Sequence, residues 1–546
     1  MKKLITVLIV FILIAACVLG FFAYERDSES KTNDEIISQT DLFDVSGNEL
    51  AIIYDFSLQS VKGIYRNDQA YLPLSWVRDY INDKFYWDKS IETIIYTLPE
   101  DIEFFRLSEE NYTQSPRYVI EKDEPYLSLD FISSRSSVYC SSYLGDTAKR
   151  VYINDSRDAY DTAVLTRDAM LRTGESELQR GIIPLSGGDS VRIIKHGSNG
   201  WSRILTQTGF PGYVKTEYLG NRKTEEPVFN YSAPVYSHIL MEDEIIMAWN
   251  QLENMSSNEN LPALYDRTSG LNVISPTWFS VLDNNGSIKS LASHDYVSFA
   301  HKNGLKVWGL VNNFSTNVNS TELLSSWNSR SNLISQLISE AKEYELDGIN
   351  VDFEQLEEKC GPHFVEFIRE LSVSCRKEGL VLSIDNPNMQ PFNIFYGRDA
   401  QAECADYVIN MGYDEHFSGG DAGSVASLPF VDTGLQACLS QVPANQLICG
   451  IPFYTRIWNL DGADVSSQAV GIETAQQWVE DHGVTLIWDE NLGQNYGQSE
   501  NHYIWMEDSD SLKAKINLSR SYNLAGFAGW KLGMEAPETW NLFKKQ

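Results

Sequence analysis

The chain has 546 residues, enough for three or four domains at roughly 150 residues each. It is 43% hydrophobic and 12% aromatic, so it can bury large cores and is not globally disordered. The formal net charge of -32 argues against nucleic-acid binding through phosphate contacts, which need Lys/Arg surfaces, and against electrostatic docking on an anionic membrane or polymer.

The N-terminus carries an apolar run, residues 4–23, preceded by two lysines. The run is long enough to cross a membrane as a helix with its positive end in the cytoplasm. It predicts a signal anchor over 1–24 and a cell-surface body outside the membrane, followed by a polar spacer over 25–45. A lipoprotein peptide cleaved before Cys17 and an ordinary secretion signal stay open as alternatives.

Residues 46–155 predict a small α+β domain with two similar halves. Each half has the pattern Tyr-Leu-x-Leu followed by an amphipathic helix and a strand, and the halves start at Tyr71 and Tyr126. The pattern resembles the copper amine oxidase N-terminal-like domain of bacterial surface proteins. No metal-ligand cluster accompanies it, so we interpret this domain as a structural stalk.

Residues 160–222 predict a β-rich module. The runs "IIPLSGGDSVRII" and "GYVKTEYL" carry a Gly-Gly-Asp hairpin signal and a closing strand. They resemble bacterial SH3-like domains, and this resemblance implies contact with cell-wall peptides. A spacer role is the alternative.

Residues 240–546 alternate apolar strand patterns with helical patterns, which is typical of βα repeats. Eight such units in about 300 residues predict a (β/α)8 TIM barrel. The eight predicted strands cover 244–252, 271–279, 305–313, 348–354, 380–387, 406–414, 446–456 and 524–533. A small α+β insertion is predicted over about 457–520, before the last strand.

In the fourth predicted strand, "GINVDFE", polar and apolar side chains alternate. Asn350, Asp352 and Glu354 face the barrel interior, while the apolar residues between them face the helices. The polar series ends at the C-terminal end of the strand, where the active sites of TIM barrels lie. Two carboxyls two residues apart perturb each other, and one of them should keep its proton to higher pH.

The motif "DGINVDFE" resembles the DGxDxDxE signature of glycoside hydrolase family 18, the chitinase family. The runs "NMGYDEH", "GIPFYTRIW" and "GFAGWKLGME" at later strand ends support the resemblance, which covers 240–546. Spore and cell-wall N-acetylglucosaminidases of that family are most similar in overall pattern. The resemblance implies a substrate-assisted, retaining mechanism that needs no metal and no cofactor, because the substrate's acetamido group is the nucleophile.

The resemblance also implies roles for individual residues. Glu354 is expected to be the general acid and then the general base, Asp352 to orient the acetamido N–H, and Tyr413 to bind the acetamido oxygen. Trp530 is expected to form the floor under the sugar. Further candidates at strand ends are Asp414 and Arg456 for sugar hydroxyls, and Trp249, Trp278, Tyr454 and Trp458 for stacking, with burial in the core as the alternative for these four.

Asn350 departs from the family pattern, which has Asp at this position. An amide cannot share a proton with Asp352, so the pH dependence could differ. The resulting prediction is an extracellular glycosidase that hydrolyses β-1,4 bonds after N-acetylglucosamine in peptidoglycan or a related polymer. A chitinase or chito-oligosaccharide hydrolase, and an inactive sugar-binding barrel, remain as alternatives. The predicted contacts are the N-acetylglucosamine glycan, a wall peptide through the SH3-like domain, and the membrane through the N-terminal helix.

Overall fold

The computed structural model describes residues 32–197, 199–461 and 465–544. They belong to two compact units: the N-terminal unit contains residues up to Phe85 and Leu107–Ala233, and the barrel unit contains Tyr86–Arg106 and Pro234 onward. No helix among the described residues is long and apolar enough to cross a membrane. The predicted signal anchor over 1–24 lies outside these residues.

The elements up to residue 225 are mostly short strands. The strands are β1 (Glu49–Tyr54), β2 (Ser57–Arg66), β3 (Gln69–Pro73), β4 (Phe85–Asp88), β5 (Thr93–Thr97), β6 (Ile102–Arg106), β7 (Tyr118–Glu121), β8 (Glu124–Ser128), β9 (Tyr139–Tyr143), β10 (Arg150–Asn154), β11 (Tyr160–Leu165), β12 (Ala169–Arg172), β13 (Gly181–Leu185), β14 (Ser190–His196), β15 (Trp201–Thr206), β16 (Pro211–Lys215) and β17 (Leu219–Glu225). The helices are α1 (Gln39–Phe43), α2 (Leu74–Tyr80), α3 (Leu107–Glu110) and α4 (Leu129–Ser133).

The N-terminal unit contains two seven-stranded sheets, in the orders β7-β8-β3-β2-β1-β10-β9 and β13-β12-β16-β15-β14-β11-β17. The two Tyr-Leu-x-Leu segments lie on β3 and β8 and pair antiparallel, with Tyr71 opposite Ser128. Hairpin β2–β3 turns on Asn67 and Asp68, both with positive φ, as tight two-residue hairpins require. Buried Arg150 joins the sheets, because its Nε donates to the carbonyl of Gly209 at 2.7 Å.

The remaining elements form the barrel and its insertion. The strands are β18 (Ile245–Asn250), β19 (Val273–Pro276), β20 (Phe279–Val281), β21 (Ile288–Ser290), β22 (Lys306–Asn312), β23 (Gly348–Asp352), β24 (Val381–Pro387), β25 (Tyr407–Met411), β26 (Leu447–Pro452), β27 (Tyr454–Asn459), β28 (Ser466–Gly471), β29 (Ile487–Asp489), β30 (Gln494–Ser499), β31 (His502–Met506) and β32 (Gly526–Trp530). The helices are α5 (Leu261–Tyr265), α6 (His294–Lys302), α7 (Ser320–Ser325), α8 (Trp327–Glu343), α9 (Gly361–Glu378), α10 (Arg398–Cys404), α11 (Leu428–Leu439), α12 (Ile472–Asp481) and α13 (Ser509–Ser521).

Eight parallel strands close into a barrel in the order β18-β19-β22-β23-β24-β25-β26-β32, with β32 pairing back to β18. The predicted (β/α)8 barrel is therefore confirmed, and each predicted strand is present. The predicted seventh strand, 446–456, is divided in the structure between β26 and β27.

The alternation of β23 sorts its side chains as predicted. Ile349, Val351 and Phe353 are fully buried in the layer between strands and helices. The ring of Phe353 stacks on Phe364 and Phe367 of α9, at centroid distances of 6.1 and 5.6 Å. The polar residues of the same strand consequently point to the interior, towards the other strands.

The insertion is a five-stranded sheet in the order β28-β27-β31-β30-β29, with α12 packed on it. The sequence predicted an insertion over 457–520, which would include α13. In the structure α13 packs against β30 of the insertion sheet and also against β26, β32 and α11 of the barrel. The insertion sheet begins at Tyr454, directly after the seventh barrel strand.

The segment 86–106 groups with the barrel, although the sequence placed it inside a domain over 46–155. Thr97 Oγ1 donates to Glu366 of α9 at 3.0 Å, and Arg376 Nε of the same helix donates to the carbonyl of Pro99 at 2.9 Å. These contacts fix strands β5 and β6 to the outside of the barrel. A strand pattern alone does not say which neighbour covers its apolar face, which is why the sequence did not reveal this packing.

Candidate active site

The site lies at the C-terminal end of the barrel strands, where β23 ends with Asp352. Asp352 is buried, at 4% exposure, and its Oδ1 has no hydrogen-bond partner in the described structure. Burial is the main reason why the pKa of Asp352 is raised well above its usual range, and the neighbouring carboxyls of Asp385 and Glu354 raise it further. A buried polar oxygen without a partner is unusual in a folded protein, and it marks this carboxyl as a candidate for binding a ligand's hydrogen-bond donor.

Glu354 follows two residues later and is partly exposed. Burial raises the pKa of its carboxyl, and the negative charge of Asp414 adds to the effect. A raised pKa keeps a carboxyl protonated closer to neutral pH, as a general acid requires. The two residues thus have the environments that sequence alternation predicted for them.

Asn313 holds the backbone of Glu354 in place. Its side-chain oxygen accepts from the Glu354 N–H at 3.0 Å, and its amide nitrogen donates to the Glu354 carbonyl at 2.9 Å. Two hydrogen bonds to one residue fix the direction in which its side chain leaves the strand end. Asn313 was not predicted, because its only signal in the sequence is an amide at the end of the predicted strand 305–313.

Tyr413 lies just beyond the end of β25. The pKa of its hydroxyl is raised by burial and then by the charges of Asp385, Asp352, Tyr454 and Glu354. The centroid of its ring lies 6.4 Å from that of Tyr454. The hydroxyl therefore keeps its proton and can donate it in a hydrogen bond.

Four tryptophans predicted to lie near the sugar have different environments. Trp530 is partly exposed at the end of β32, and its ring lies 5.9 Å from the ring of Trp249. Trp249 is 1% exposed, and its Nε1 donates to Asn350 and Asp385 at 3.0 and 3.1 Å. Trp249 therefore holds Asn350 and Asp385 by hydrogen bonds inside the barrel, which differs from the predicted stacking on a sugar face.

Trp278 does not belong to the site. It is fully buried, its Nε1 donates to Asn258 Oδ1 at 2.9 Å, and its ring packs edge-on against Tyr296 at 5.0 Å. Burial in the core, the alternative given for Trp278, is the one that these contacts favour, because the side chain belongs to the hydrophobic layer around the barrel. Trp458 is also buried and donates to the carbonyl of Gly423, so it is a core residue of the insertion.

Tyr454, Asp414 and Arg456 form the side of the site that faces the insertion. The hydroxyl of Tyr454 donates to Asp414 Oδ1. Asp414 is exposed, and its φ of 59° is the left-handed conformation that Asp tolerates better than most residues. Arg456, two residues after Tyr454 on β27, donates to Ser467 Oγ at 3.0 Å. The structure thus brings Asp414 and Tyr454 to the site and leaves Arg456 at its margin.

Asp385 on β24 is the main residue that the sequence analysis did not single out. It is 1% exposed, and its two oxygens accept from Asn350 at 2.8 Å and from Trp249 at 3.1 Å. Burial raises the pKa of Asp385 to about 8, against the lowering effect of these two hydrogen bonds. Its sequence signal was a single carboxylate inside an otherwise apolar strand.

Parts of the chain are similar in sequence to known proteins. The chain is 24% identical over 298 residues to the uncharacterized glycosylase YvbX of Bacillus subtilis, covering 50% of this chain and 84% of that protein. It is 28% identical over 227 residues to the cortical fragment-lytic enzyme of Bacillus subtilis, covering 39% of this chain and 53% of that enzyme. The chain therefore spans only about half the length of the latter.

Solved structures support the same fold. The Bacillus cereus spore cortex-lytic enzyme SleL superposes with a TM-score of 0.50 at 21% identity, over 55% of this chain and 73% of that chain. The chitinase of Chromobacterium violaceum gives the same TM-score at 23% identity, over 98% of that chain. The model of Glycosyl hydrolases family 18 matches residues 301–535, and these residues contain β22 to β26, β32 and every carboxyl described above. Over these residues the barrel unit is thus similar to glycoside hydrolase family 18.

Proposed function

We propose that the barrel unit hydrolyses β-1,4 bonds after N-acetylglucosamine in peptidoglycan or a related polymer, by a substrate-assisted retaining mechanism. The observation that carries this proposal is the pair Asp352 and Glu354, both with raised pKa, at the C-terminal end of β23. The acidic chain, with its net charge of -32, suits a glycan of low charge better than an anionic polymer.

In the proposed reaction Glu354 donates its proton to the glycosidic oxygen. The acetamido carbonyl oxygen of the sugar attacks the anomeric carbon as the bond to the leaving group breaks. Asp352 accepts a hydrogen bond from the acetamido N–H through its unpaired Oδ1, and its negative charge stabilises the cationic ring. Tyr413 donates to the acetamido oxygen. Water then attacks the same carbon, the bond between that carbon and the acetamido oxygen breaks, and the Glu354 carboxylate takes a proton from the water.

Two kinds of relatives support peptidoglycan as the first choice of substrate and chitin as the second. The cortical fragment-lytic enzymes of Bacillus match 39% to 42% of this chain, and a class V chitinase of Arabidopsis thaliana matches 38%. Chito-oligosaccharide hydrolysis is therefore the second candidate activity, and a sugar-binding barrel without turnover is the third. The presence of Glu354 favours an enzyme over a lectin.

The substitution Glu354→Gln tests the activity, because glutamine keeps the shape and cannot deliver a proton. Release of reducing ends from purified peptidoglycan and from chitin should fall about 10² to 10⁴-fold. Glu358→Gln, at an exposed position four residues further on, is the matched control and should keep wild-type activity. If wild type and Glu354→Gln both bind the polymers and neither releases reducing ends, the lectin assignment replaces this one. N-acetylmuramic acid at the new reducing end would overturn the bond assignment.

The N-terminal half suggests where the enzyme works. We propose that the apolar run 4–23 holds the protein at the outer face of the membrane, and that the SH3-like module over 160–222 contacts wall peptide. The candidate peptide site is a cavity of about 960 Å³ in the N-terminal unit. It is lined by Arg192 and by aromatic residues such as Tyr139, Tyr160 and Phe56. Arg192→Gln should weaken the binding of the N-terminal unit's wall ligand, measured by co-sedimentation of the full chain with purified wall; unchanged sedimentation would overturn the site assignment.

A further inference from the structure

Asn350 occupies the position at which the signature motif has an aspartate, and the structure shows what surrounds its amide. The nitrogen donates to Asp385 Oδ1 at 2.8 Å and to Ser383 Oγ at 3.0 Å. The oxygen accepts from Trp249 Nε1 and Ser275 Oγ, both at 3.0 Å. Every hydrogen-bonding direction of the amide is used, so Asn350 is a fixed part of the interior, 0% exposed.

Asp385 is the carboxyl next to this amide, on the neighbouring strand. Strands β23 and β24 pair in register, with Asn350 opposite Ser383 and Val351 opposite Ile384, so Asp352 and Asp385 come next along the two strands. An amide between two strands donates to a carboxylate without repulsion, whereas an aspartate at position 350 would put two carboxyls within hydrogen-bond distance of each other. The carboxyl next to Asp352 on the neighbouring strand is therefore Asp385 of β24, while position 350 of β23 carries an amide.

We propose that Asp385 supplies, from β24, the second carboxyl that shares one proton with Asp352, and that Asn350 and Trp249 clamp Asp385 in that position. This inference rests on the proposed function. Asp385 acts through Asp352 and is a positioning residue. The proton shared by the pair lets Asp352 exchange between a protonated resting form and the anion that faces the substrate's acetamide, with Asp385 taking the proton in the second form.

The groups that face Asp385 support this assignment. On β23 they are Asp352, with its unpaired Oδ1, and the neutral Asn350; Glu354 follows the strand and carries the remaining acidic charge. From β25 comes Tyr413, and from β18 the neutral Trp249. The charges acting on the pair are thus all negative, and two buried carboxyls in such surroundings do not both ionise at neutral pH.

Moving the carboxyl back to β23 is the test. Asp385→Asn keeps the shape and removes the shared proton, so kcat should fall at least tenfold with little change in KM. The double variant Asn350→Asp/Asp385→Asn places the carboxyl on β23 and an amide on β24, and it should recover most of the lost kcat. Ser383→Ala removes an uncharged neighbour of Asn350 and should leave the pH profile of kcat unchanged.

A second measurement does not depend on activity. The native pair binds a proton that the unfolded chain releases above about pH 4, so the free energy of unfolding should fall as pH rises from about 4 to 8. This fall should be less steep in Asp385→Asn and return in the double variant. If wild type hydrolyses no N-acetylglucosamine polymer, the proposed function fails, and the unfolding curves still test the pair. Wild-type kcat in Asp385→Asn, a double variant no better than the single one, or parallel unfolding curves would each overturn the inference.

Discussion

Two clusters of buried carboxyls in the barrel unit differ in what balances their charge. The site cluster, Asp352, Glu354 and Asp385, lies inside the barrel mouth, and the charges acting on its members are other carboxylates. The ion-pair cluster lies outside the barrel, where Arg330 of α8 forms a two-bond pair with Glu370 of α9, at 2.8 and 2.9 Å.

The ion-pair cluster also contains Asp88 and Glu366. Asp88 lies 3.2 Å from Arg330, and burial raises the pKa of Glu366 to about 7 while Arg369 and Arg330 oppose the rise. Both clusters are buried, so burial alone does not mark an active site. In the ion-pair cluster, arginines balance the carboxyls and the pairs join helices. In the site cluster, no cation balances the carboxyls, so they keep protons that a reaction can use.

The largest expected effect is a loss of stability when the ion-pair cluster is broken. Arg330→Met leaves the carboxylates of Glu370 and Asp88 buried without their cation, so the free energy of unfolding should fall by about 3 to 5 kcal/mol. Chemical denaturation measures it. Arg267→Met is the matched control: it removes an exposed pair with Glu473 and should cost less than about 1 kcal/mol. Equal losses in the two variants would contradict the view that Arg330 balances the outer cluster.

The next effect is on turnover and concerns the site cluster. Tyr413→Phe removes a hydroxyl that donates to the substrate's acetamide, so kcat should fall about 10 to 100-fold, the equivalent of roughly 1.5 to 3 kcal/mol. Tyr407→Phe, on the same strand, removes a hydroxyl that accepts from the Met241 N–H at 2.6 Å, away from the site. It should lower stability and spare kcat. Loss of turnover in Tyr407→Phe alone would reverse the roles of the two tyrosines.

The smallest expected effect is a change in unfolding temperature with pH, which differs between the two clusters. The pKa of Asp352 is raised on folding, so its contribution to stability is lost as pH rises from about 4 through the folded value. Asp352→Asn should therefore unfold at a higher temperature than wild type at pH 8, with the difference disappearing near pH 4. Glu370→Gln should unfold at a lower temperature at both pH values, because it weakens the pair with Arg330. Destabilisation of Asp352→Asn at pH 8 would mean that its charge is balanced after all.

The alternation of β23 explains why so much of the site could be predicted from sequence. A strand with three polar residues on one side and three buried apolar residues on the other has only one orientation in a barrel, and this fixed Asn350, Asp352 and Glu354 in the interior. Eight alternating units then fixed the barrel. Both predictions depend on periodicity, which is local in the sequence.

The missed features depend on contacts between distant residues. Asp385 lies within a predicted strand and Asn313 lies at the end of another. Only the neighbouring strands show that Asp385 binds Asn350 and that Asn313 binds the Glu354 backbone. Trp278 and Trp249 both lie at strand ends, yet one points outward to Asn258 and the other inward to Asp385. Aromatic residues alone do not reveal their side of a strand. A lone carboxylate within an apolar parallel strand is the signal worth following.

The stereochemistry of the first product distinguishes the proposed substrate-assisted mechanism from direct attack by water. A chito-oligosaccharide or a purified peptidoglycan fragment is hydrolysed, and proton NMR follows the anomeric signal before mutarotation. Because the acetamide attacks one face and water the other, the account predicts that the β-anomer forms first. The α-anomer as first product would show direct attack by water and would contradict the roles assigned to Asp352 and Glu354.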